Sequence, residues 1–255
     1  MLTEQRYEAI LEMLNRDQFL PATTLAKRLY VSLPTIRRDL AELDRRGLIL
    51  RTHGGAGSLK EGHFQLPLSL RTPVKAREKR LLCHEAAKLV KEGDIIFLDA
   101  STTVRPMADE LKNIRHITVI TNSIPLASLL CDRGVRTYCT GGEILEVSRG
   151  LAGSYAEQFI SHFNIDIAFL SSFAISPSGT VADTSEGETA LRRIVLRQAA
   201  KRIFLCDSEK FNRSAPFNLT PISSLDLLIT NAIPPASFGL SPDQICVVSE
   251  GEARR

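Results

Sequence analysis

Residues 31–56 read VSLPTIRRDLAELDRRGLILRTHGGA, and this stretch decides the fold of the N-terminal part of the chain. Ser32 stands at a helix N-cap position, and Gly47 marks the end of the helical pattern. Two adjacent arginines, Arg37 and Arg38, lie near the start of this helix, where the helix dipole disfavours positive charge. A negatively charged partner is therefore expected there. The buried face of the helix is predicted to consist of Ile36, Leu40 and Leu43.

Two further helices are predicted before this one, over residues 3–16 and 23–30, from apolar residues at helical spacing. Three helices with a short break before the third are typical of a helix-turn-helix. The segment 48–50 and the residues after Gly54 and Gly55 are expected to pair as a β-hairpin, the wing of a winged helix-turn-helix.

The third helix has the composition of a DNA recognition helix. Its polar side chains point away from the predicted core, and arginine binds guanine bidentately while serine and threonine bind phosphate or base. The wing adds further groups near the backbone phosphates. The predicted DNA-binding residues are Ser32, Thr35, Arg37 and Arg38 on the helix, and Arg51, His53 and Gly54 in the wing.

The charge distribution supports this interpretation. The net charge is +3, and residues 1–60 hold ten basic and seven acidic residues, whereas the remainder holds twenty-two of each. The whole excess therefore lies at the predicted DNA-binding end. Five scattered cysteines without a C-x-x-C motif, no secretion signal and no long apolar run predict a reduced cytoplasmic protein.

From residue 74 onward the pattern alternates between strands and helices, which predicts an α/β domain with a mostly parallel sheet. Helices are expected near 76–92, 103–112, 124–132, 154–163 and 187–200. Strands are expected at 94–99, 117–122, 136–140, 165–171, 202–207, 225–230 and 245–249.

Several of these strands run directly into polar residues, and ligands of open α/β sheets bind beyond the carboxyl ends of strands. Ser101, Thr102 and Thr103 are predicted to open a helix, where hydroxyl and backbone N–H groups suit an anion. Lys210, after another strand, adds a positive charge. No dinucleotide, P-loop or metal-binding spacing occurs, so neither a cofactor nor a metal is expected.

The chain closely resembles the DeoR family of bacterial transcriptional regulators. The head carries V-S-x-x-T-I-R-R-D-L-x-x-L-x-x-x-G-L and R-x-H-G-G-A, and the larger region carries I-F-L-D-A-S-T-T, V-I-T-N-S, G-G-E and C-D-S-E-K-F. The resemblance implies a sensor domain related to ribose-5-phosphate isomerase that binds phosphorylated sugars. It implies that Ser101, Thr102, Thr103 and Lys210 hold the phosphate, and that Asp99, Asn122 and Gly142 line the site.

Two stretches depart from the family pattern. Ala100 stands where glycine is usual, and alanine adopts a left-handed conformation with difficulty, so a different phosphate turn is expected. Residues 171–174, Ser-Ser-Phe-Ala, lack the acidic residue that isomerases carry, which argues against turnover. Phe173 is expected to reshape the specificity pocket. The nearest remaining acids are Asp183, Glu186 and Glu188, of which Glu188 best fits the place of the isomerase base.

The sequence thus predicts a winged helix-turn-helix at 1–57, a linker at 58–73 and an α/β effector-sensing and oligomerisation domain at 74–255. Asp39 within the recognition helix is expected to orient Arg38 or another arginine. The predicted function is a repressor of a carbohydrate operon, acting as a homodimer or tetramer on double-stranded operator DNA under control of a sugar phosphate. Three alternatives stay open: an isomerase with an appended head, a regulator whose sensor has lost its ligand, and an activator.

Overall fold

The computed structural model describes residues 2–17, 19–46, 48–51, 54–58 and 68–249. The chain divides into two compact units, Met1–Leu66 and Pro67–Arg255, called here the N-terminal unit and the C-terminal unit. The division falls inside the predicted linker. That stretch is not wholly irregular, because a strand ends in it at Ser58 and a short helix begins in it at Leu68.

The N-terminal unit contains three helices and a three-stranded antiparallel sheet. The helices are α1 (Thr3–Asp17), α2 (Ala22–Arg28) and α3 (Leu33–Arg45). The strands are β1 (Phe19–Pro21), β2 (Ile49–Arg51) and β3 (Gly55–Ser58), in the order β1-β3-β2. The predicted wing is present as β2 and β3, whereas β1 was not anticipated from the sequence.

Helix α3 forms as its sequence predicts. The Ser32 hydroxyl accepts a hydrogen bond from the Thr35 N–H at 3.3 Å, which caps the helix. The helix ends at Arg45, and Gly47 lies outside the described residues. The turn between α2 and α3 passes through Tyr30, whose φ is +54°. The core of the unit contains the predicted apolar face, Ile36, Leu40 and Leu43, packed with Tyr7, Ile10, Leu14 and Leu25.

The C-terminal unit is an α/β domain. Its helices are α4 (Leu68–Arg71), α5 (Ala76–Ala87), α6 (Met107–Leu111), α7 (Ile124–Asp132), α8 (Ser154–Ser161) and α9 (Glu186–Gln198). Its strands are β4 (Ile95–Leu98), β5 (Thr118–Thr121), β6 (Arg136–Cys139), β7 (Glu143–Ile144), β8 (Leu151–Ala152), β9 (Ile165–Leu170), β10 (Ala174–Ile175), β11 (Thr180–Asp183), β12 (Ala199–Cys206), β13 (Phe217–Pro221), β14 (Leu227–Thr230) and β15 (Ile245–Val247). Short 3-10 helices cover Ser208–Lys210, Ile222–Ser224, Ala236–Phe238 and Pro242–Gln244.

Seven strands form a parallel sheet in the order β15-β14-β12-β9-β4-β5-β6. Side chains alternate across it: Ile96 and Leu98 enter one apolar core, and Phe97 between them enters the other. The chain proceeds from β4 outward in one direction and returns at β9 to proceed in the other. The strand order therefore reverses between β4 and β9, which is where open α/β sheets bind ligands.

The structure corrects the predicted helix at 103–112. Residues 102–106 form turns, and α6 begins only at Met107, so Ser101, Thr102 and Thr103 do not open a helix. Pro106 has no N–H to donate and disfavours a helical conformation in the residue before it. The Ser101 hydroxyl nevertheless accepts the Val104 N–H at 3.1 Å, which closes the turn locally.

Candidate functional site

The recognition helix exposes arginines that carry no internal counter-ion. Eight arginines occur among the described residues of the N-terminal unit, and five of them form ion pairs: Arg6, Arg16, Arg28, Arg45 and Arg46. The other three are exposed and form no ion pair with any described residue. These are Arg37, Arg38 and Arg51, all of which the sequence assigns to DNA.

The two arginines at the other end of the same helix do have an internal counter-ion, Glu42. Its carboxylate accepts hydrogen bonds from both Arg45 and Arg46, which lowers the pKa of Glu42 to about 2. Positive charge at the C-terminal end of α3 is therefore neutralised. Positive charge near its N-terminal end is left available for an external anion.

Three of the remaining predicted DNA-binding residues, Ser32, Thr35 and Gly54, belong to the described part of the same unit. The hydroxyl groups of Ser32 and Thr35 lie 2.8 Å apart at the start of α3. The Gly54 carbonyl accepts the Ala22 N–H at 2.9 Å, which ties the wing to the start of α2. His53 lies outside the described residues.

Asp39 orients Arg6 rather than Arg38. Its carboxylate accepts hydrogen bonds from Arg6 Nε at 2.6 Å and from Arg6 Nη2 at 2.9 Å, and the two side chains are 5% and 11% exposed. This pair joins α3 to α1. Asp39 is thus a structural residue of the recognition helix, and Arg38 stays exposed.

Replacing Asp39 with asparagine is expected to destabilise the N-terminal unit by about 1.5–3 kcal/mol, because a bidentate ion pair becomes a single hydrogen bond from the Arg6 guanidinium to an uncharged amide oxygen. Urea denaturation of the full chain, followed by a probe in the N-terminal unit, measures the loss. The matched control is Glu12→Gln, which breaks the exposed Glu12–Arg16 pair on α1 and is expected to cost no more than about 0.5 kcal/mol. Equal effects of the two variants would contradict the structural role of Asp39.

The C-terminal unit gathers the predicted phosphate-binding residues at the switch point between β4 and β9. Lys210 Nζ donates to Thr103 Oγ1 at 3.2 Å, across 107 residues of sequence, and to Ser171 Oγ at 2.9 Å. Thr103 follows β4 and Ser171 follows β9. The Ser-Ser stretch that replaces the expected acid thus supplies a hydroxyl group to this lysine.

A second lysine, which the sequence analysis missed, lies beside the first. Lys79 on α5 is 5% exposed and donates from Nζ to Thr102 Oγ1 at 3.0 Å and to the Arg71 carbonyl at 2.7 Å. Burial lowers the pKa of the Lys79 ammonium group to about 8, and the neighbouring charge of Lys210 adds to that shift. Neither lysine forms an ion pair with a described residue. Two ammonium groups on adjacent threonines, without a paired carboxylate, form a site suited to an anion.

The Asp99 carboxylate accepts hydrogen bonds from both loops that carry these hydroxyl groups. One carboxylate oxygen accepts the Ser101 N–H at 3.0 Å, and the other accepts the Ser171 N–H at 2.9 Å. The second oxygen also accepts Arg192 Nε at 3.2 Å. Asp99 therefore fixes the loops after β4 and β9 relative to each other.

Arg192 on α9 is buried among three carboxylates. It donates to Asp99, to Asp183 at 2.9 Å and to Glu188 at 3.3 Å. Burial raises the pKa of Glu188, and the charge of Arg192 opposes that shift. Of the three acids considered in the sequence, Asp183 and Glu188 thus belong to a buried ionic network, and Glu186 is exposed.

Asn122 and Gly142, the other two residues expected at the site, both lie against β8. Asn122 Nδ2 donates to the Leu151 carbonyl at 3.2 Å, while its Oδ1 is buried and has no hydrogen-bond partner among the described residues. Gly142 has a φ of +114°, and a Cβ there would lie 2.3 Å from the Ala152 carbonyl oxygen. Only glycine fits this position, and the unpartnered amide oxygen is available to a ligand hydroxyl.

Ala100 is accommodated without a left-handed backbone. It is not among the described non-glycine residues with positive φ, and its Cβ packs over Gly150, where an added Cβ would lie 2.9 Å away. Alanine at position 100 thus needs no left-handed backbone, and the missing side chain of Gly150 leaves room for its Cβ.

Comparisons with known proteins match both units. A family model described as the DeoR C-terminal sensor domain matches residues 74–232, and one described as a DeoR-like helix-turn-helix domain matches residues 6–62. The repressor GlcR of Bacillus subtilis is 35% identical over 241 residues, covering 93% of this chain and 92% of that protein. The glycerol-3-phosphate regulon repressor of Escherichia coli is 30% identical over 238 residues, covering 93% and 94%.

Among solved structures, ribose 5-phosphate isomerase A from Methanocaldococcus jannaschii matches with a TM-score of 0.41 and 20% identity, over 53% of this chain and 54% of that one. In the described part of the chain, no helix combines the length and apolar character needed to cross a membrane.

Proposed function

This chain belongs to the DeoR family of transcriptional regulators, and from that membership we propose that it represses a carbohydrate operon under control of a phosphorylated sugar. It is a regulator rather than an isomerase. Operator DNA is bound by the N-terminal unit, and the effector is bound by the C-terminal unit at the switch point. The protein acts in the cytoplasm.

The DNA part of the proposal is supported by the unpaired arginines. Arg37 and Arg38 lie near the start of α3 and Arg51 lies on the wing, and all three are exposed and unpaired with any carboxylate in the ranges that the structure describes. Phosphate groups and guanine edges are the partners that such arginines bind in DNA.

A single observation carries the effector part: Lys79 and Lys210 donate to two adjacent threonine hydroxyls at a sheet switch point, and neither pairs with a carboxylate of the described residues. A phosphate dianion would neutralise both ammonium groups and accept from the threonine hydroxyls. The sugar hydroxyls would then extend toward Asn122 and Gly142. A relative of similar length is named as the repressor of the glycerol-3-phosphate regulon, and glycerol 3-phosphate is a phosphate ester.

Thermal unfolding of the full chain in the presence of sugar phosphates and the matching free sugars tests the effector proposal. An effector at about 100 times its dissociation constant is expected to stabilise the C-terminal unit by about 2.7 kcal/mol. The free sugar of the same compound is expected to have little effect. Stabilisation by free sugars alone would contradict the assignment of Thr102, Thr103 and Lys210 to a phosphate group.

Replacing Lys210 with methionine is expected to weaken binding of the effector found in that screen by about 10- to 150-fold, which corresponds to one charged hydrogen bond. Isothermal titration calorimetry measures the change. Lys201→Met is the matched control, because Lys201 is an exposed lysine on β12, the strand that leads to Lys210. Unchanged affinity in Lys210→Met would remove this lysine from the site.

We further propose that the protein is a homodimer or homotetramer joined through the C-terminal unit. One recognition helix provides a small interface, and specific operators usually need two half-sites. Light scattering at micromolar concentration without DNA measures the mass. A monomer of 28.2 kDa would contradict this proposal.

A further inference from the structure

Lys79 joins the candidate effector site to the beginning of the C-terminal unit. Its ammonium group donates to Thr102 Oγ1 at 3.0 Å in the phosphate-binding turn and to the Arg71 carbonyl at 2.7 Å. Arg71 is the last residue of α4, and α4 is the first described element after residues 59–67, which follow the wing strand β3 in the chain. One side chain thus contacts both the site and the segment that leads to the DNA-binding unit.

The side chain of Arg71 lies close enough to the same region to feel its charges. Burial lowers the pKa of its guanidinium group, and the charges of Glu188 and Asp183 oppose that shift. Both carboxylates belong to the network around Arg192, which also includes Asp99 beneath the phosphate-binding turn. The Arg71 carbonyl therefore contacts Lys79 of the candidate effector site, and the Arg71 guanidinium lies near the carboxylates of the adjoining network.

A cleft provides the space for a change in this segment. It has a volume of about 610 Å³ and is bordered on one side by residues of 68–76 and on the other by Arg105 and Arg149. Helix α4 is a single turn, and its hydrogen bonds include those from the Leu68 N–H to the Val147 carbonyl at 2.9 Å and from the Thr72 N–H to the Leu68 carbonyl at 2.9 Å. Such segments open locally at low cost.

We infer that Lys79 couples the effector site to α4: an anion bound at Thr102 and Thr103 draws the ammonium group away from the Arg71 carbonyl and releases the end of α4. This inference rests on the proposed effector function. A phosphate oxygen competes successfully with a carbonyl because its full negative charge attracts the ammonium group more strongly than the partial charge of a neutral carbonyl oxygen does. Lysine suits this exchange because its stem is flexible and its donors rotate.

Hydrogen–deuterium exchange of the full chain, followed on the peptide that covers residues 68–73, tests the inference. Without ligand, Lys79→Met is expected to accelerate exchange in this peptide about tenfold, the effect of losing one charged hydrogen bond. The control Lys112→Met, at an exposed lysine after α6, is expected to leave the peptide unchanged. Equal exchange in Lys79→Met and the natural chain would overturn the inference.

The second part of the exchange experiment adds inorganic phosphate and compares it with chloride at equal ionic strength. In the natural chain phosphate is expected to protect the Ser101–Thr103 peptide and accelerate exchange in 68–73, whereas Lys79→Met shows no further acceleration. Protection of Ser101–Thr103 without any change in 68–73 would overturn the coupling and leave the effector proposal standing. No change in either peptide would overturn the anion site and the coupling together.

Thr102→Val is a second variant, and it retains the ammonium group of Lys79. It tests the same coupling if Lys79→Met fails to fold. Lys79 then retains the Arg71 carbonyl but loses its link to the turn. Exchange in 68–73 is expected to equal that of the natural chain without phosphate and to stop responding to phosphate. A phosphate response of natural size in Thr102→Val would overturn the inference.

Discussion

Replacing Arg192 with methionine is expected to lower the free energy of unfolding of the C-terminal unit by about 3–5 kcal/mol at pH 7. Methionine fills most of the space but leaves Asp99, Asp183 and Glu188 buried together without the guanidinium group that donates to all three. Burying unpaired charge is among the most costly changes that a single substitution makes. Urea denaturation measured by fluorescence or circular dichroism gives the difference.

The loss in free energy of unfolding caused by Arg192→Met is expected to shrink as the pH falls from 7 toward 5. Burial already raises the pKa of Glu188, and removing Arg192 takes away the charge that opposes this shift. A carboxyl group whose pKa is higher in the folded state than in the unfolded state destabilises the fold above the unfolded pKa, and protonation relieves the loss. Arg197→Met, on the exposed side of the same helix, is expected to stay within about 0.5 kcal/mol of the natural chain. A loss that is as large at pH 5 as at pH 7 would show that packing, and not charge, is responsible.

Replacing Arg37 with alanine is expected to weaken operator binding by about 1–3 kcal/mol, or roughly 5- to 150-fold, if this side chain contacts a base. The operator is first selected from randomised duplexes with the natural chain, and affinity is then measured by fluorescence anisotropy. Arg45→Ala is the matched control on the same helix, because Glu42 already neutralises Arg45. It is expected to change affinity by much less.

The pattern of the loss identifies the kind of contact. A base contact predicts that Arg37→Ala loses affinity for the operator and relaxes sequence preference at one position. A phosphate contact predicts an equal loss on all duplexes and a salt-dependence slope smaller by about one. Natural affinity and preference in Arg37→Ala would remove this side chain from the DNA interface. The same measurements on Arg38→Ala assign the second arginine.

The fold class is predictable because periodic apolar residues dominate the main elements. Ile36 and Leu40 mark the buried face of α3, and the run IIFL marks β4 as a central strand. The elements that escape prediction are short and mixed in composition: β1 has three residues and ends in Pro21, and β11 reads TVAD. Their strand conformation depends on a partner strand that is distant in the sequence, and no local pattern shows that partner.

The candidate site is predictable only in part, for a related reason. Strand ends point to Thr103 and Lys210, but the pairing of Arg6 with Asp39 and of Arg192 with Asp99 joins residues far apart in the chain. Lys79 did carry a local signal. It occupies the apolar face of α5 in register with Leu82, Cys83 and Ala86, where a lysine is unusual and must find polar partners.

Strand β3 has a consequence for how tightly the N-terminal unit binds DNA. It pairs with β2 on one side and with β1 on the other, and the Asp44 carboxylate on α3 accepts the Arg51 N–H at 3.0 Å. Gly55 makes this arrangement possible, since a Cβ there would lie 2.2 Å from the Leu20 carbonyl oxygen. The backbone that carries Arg37 and Arg51 is thus ordered before DNA arrives. Binding then loses little backbone entropy, and most of the contact free energy remains as affinity.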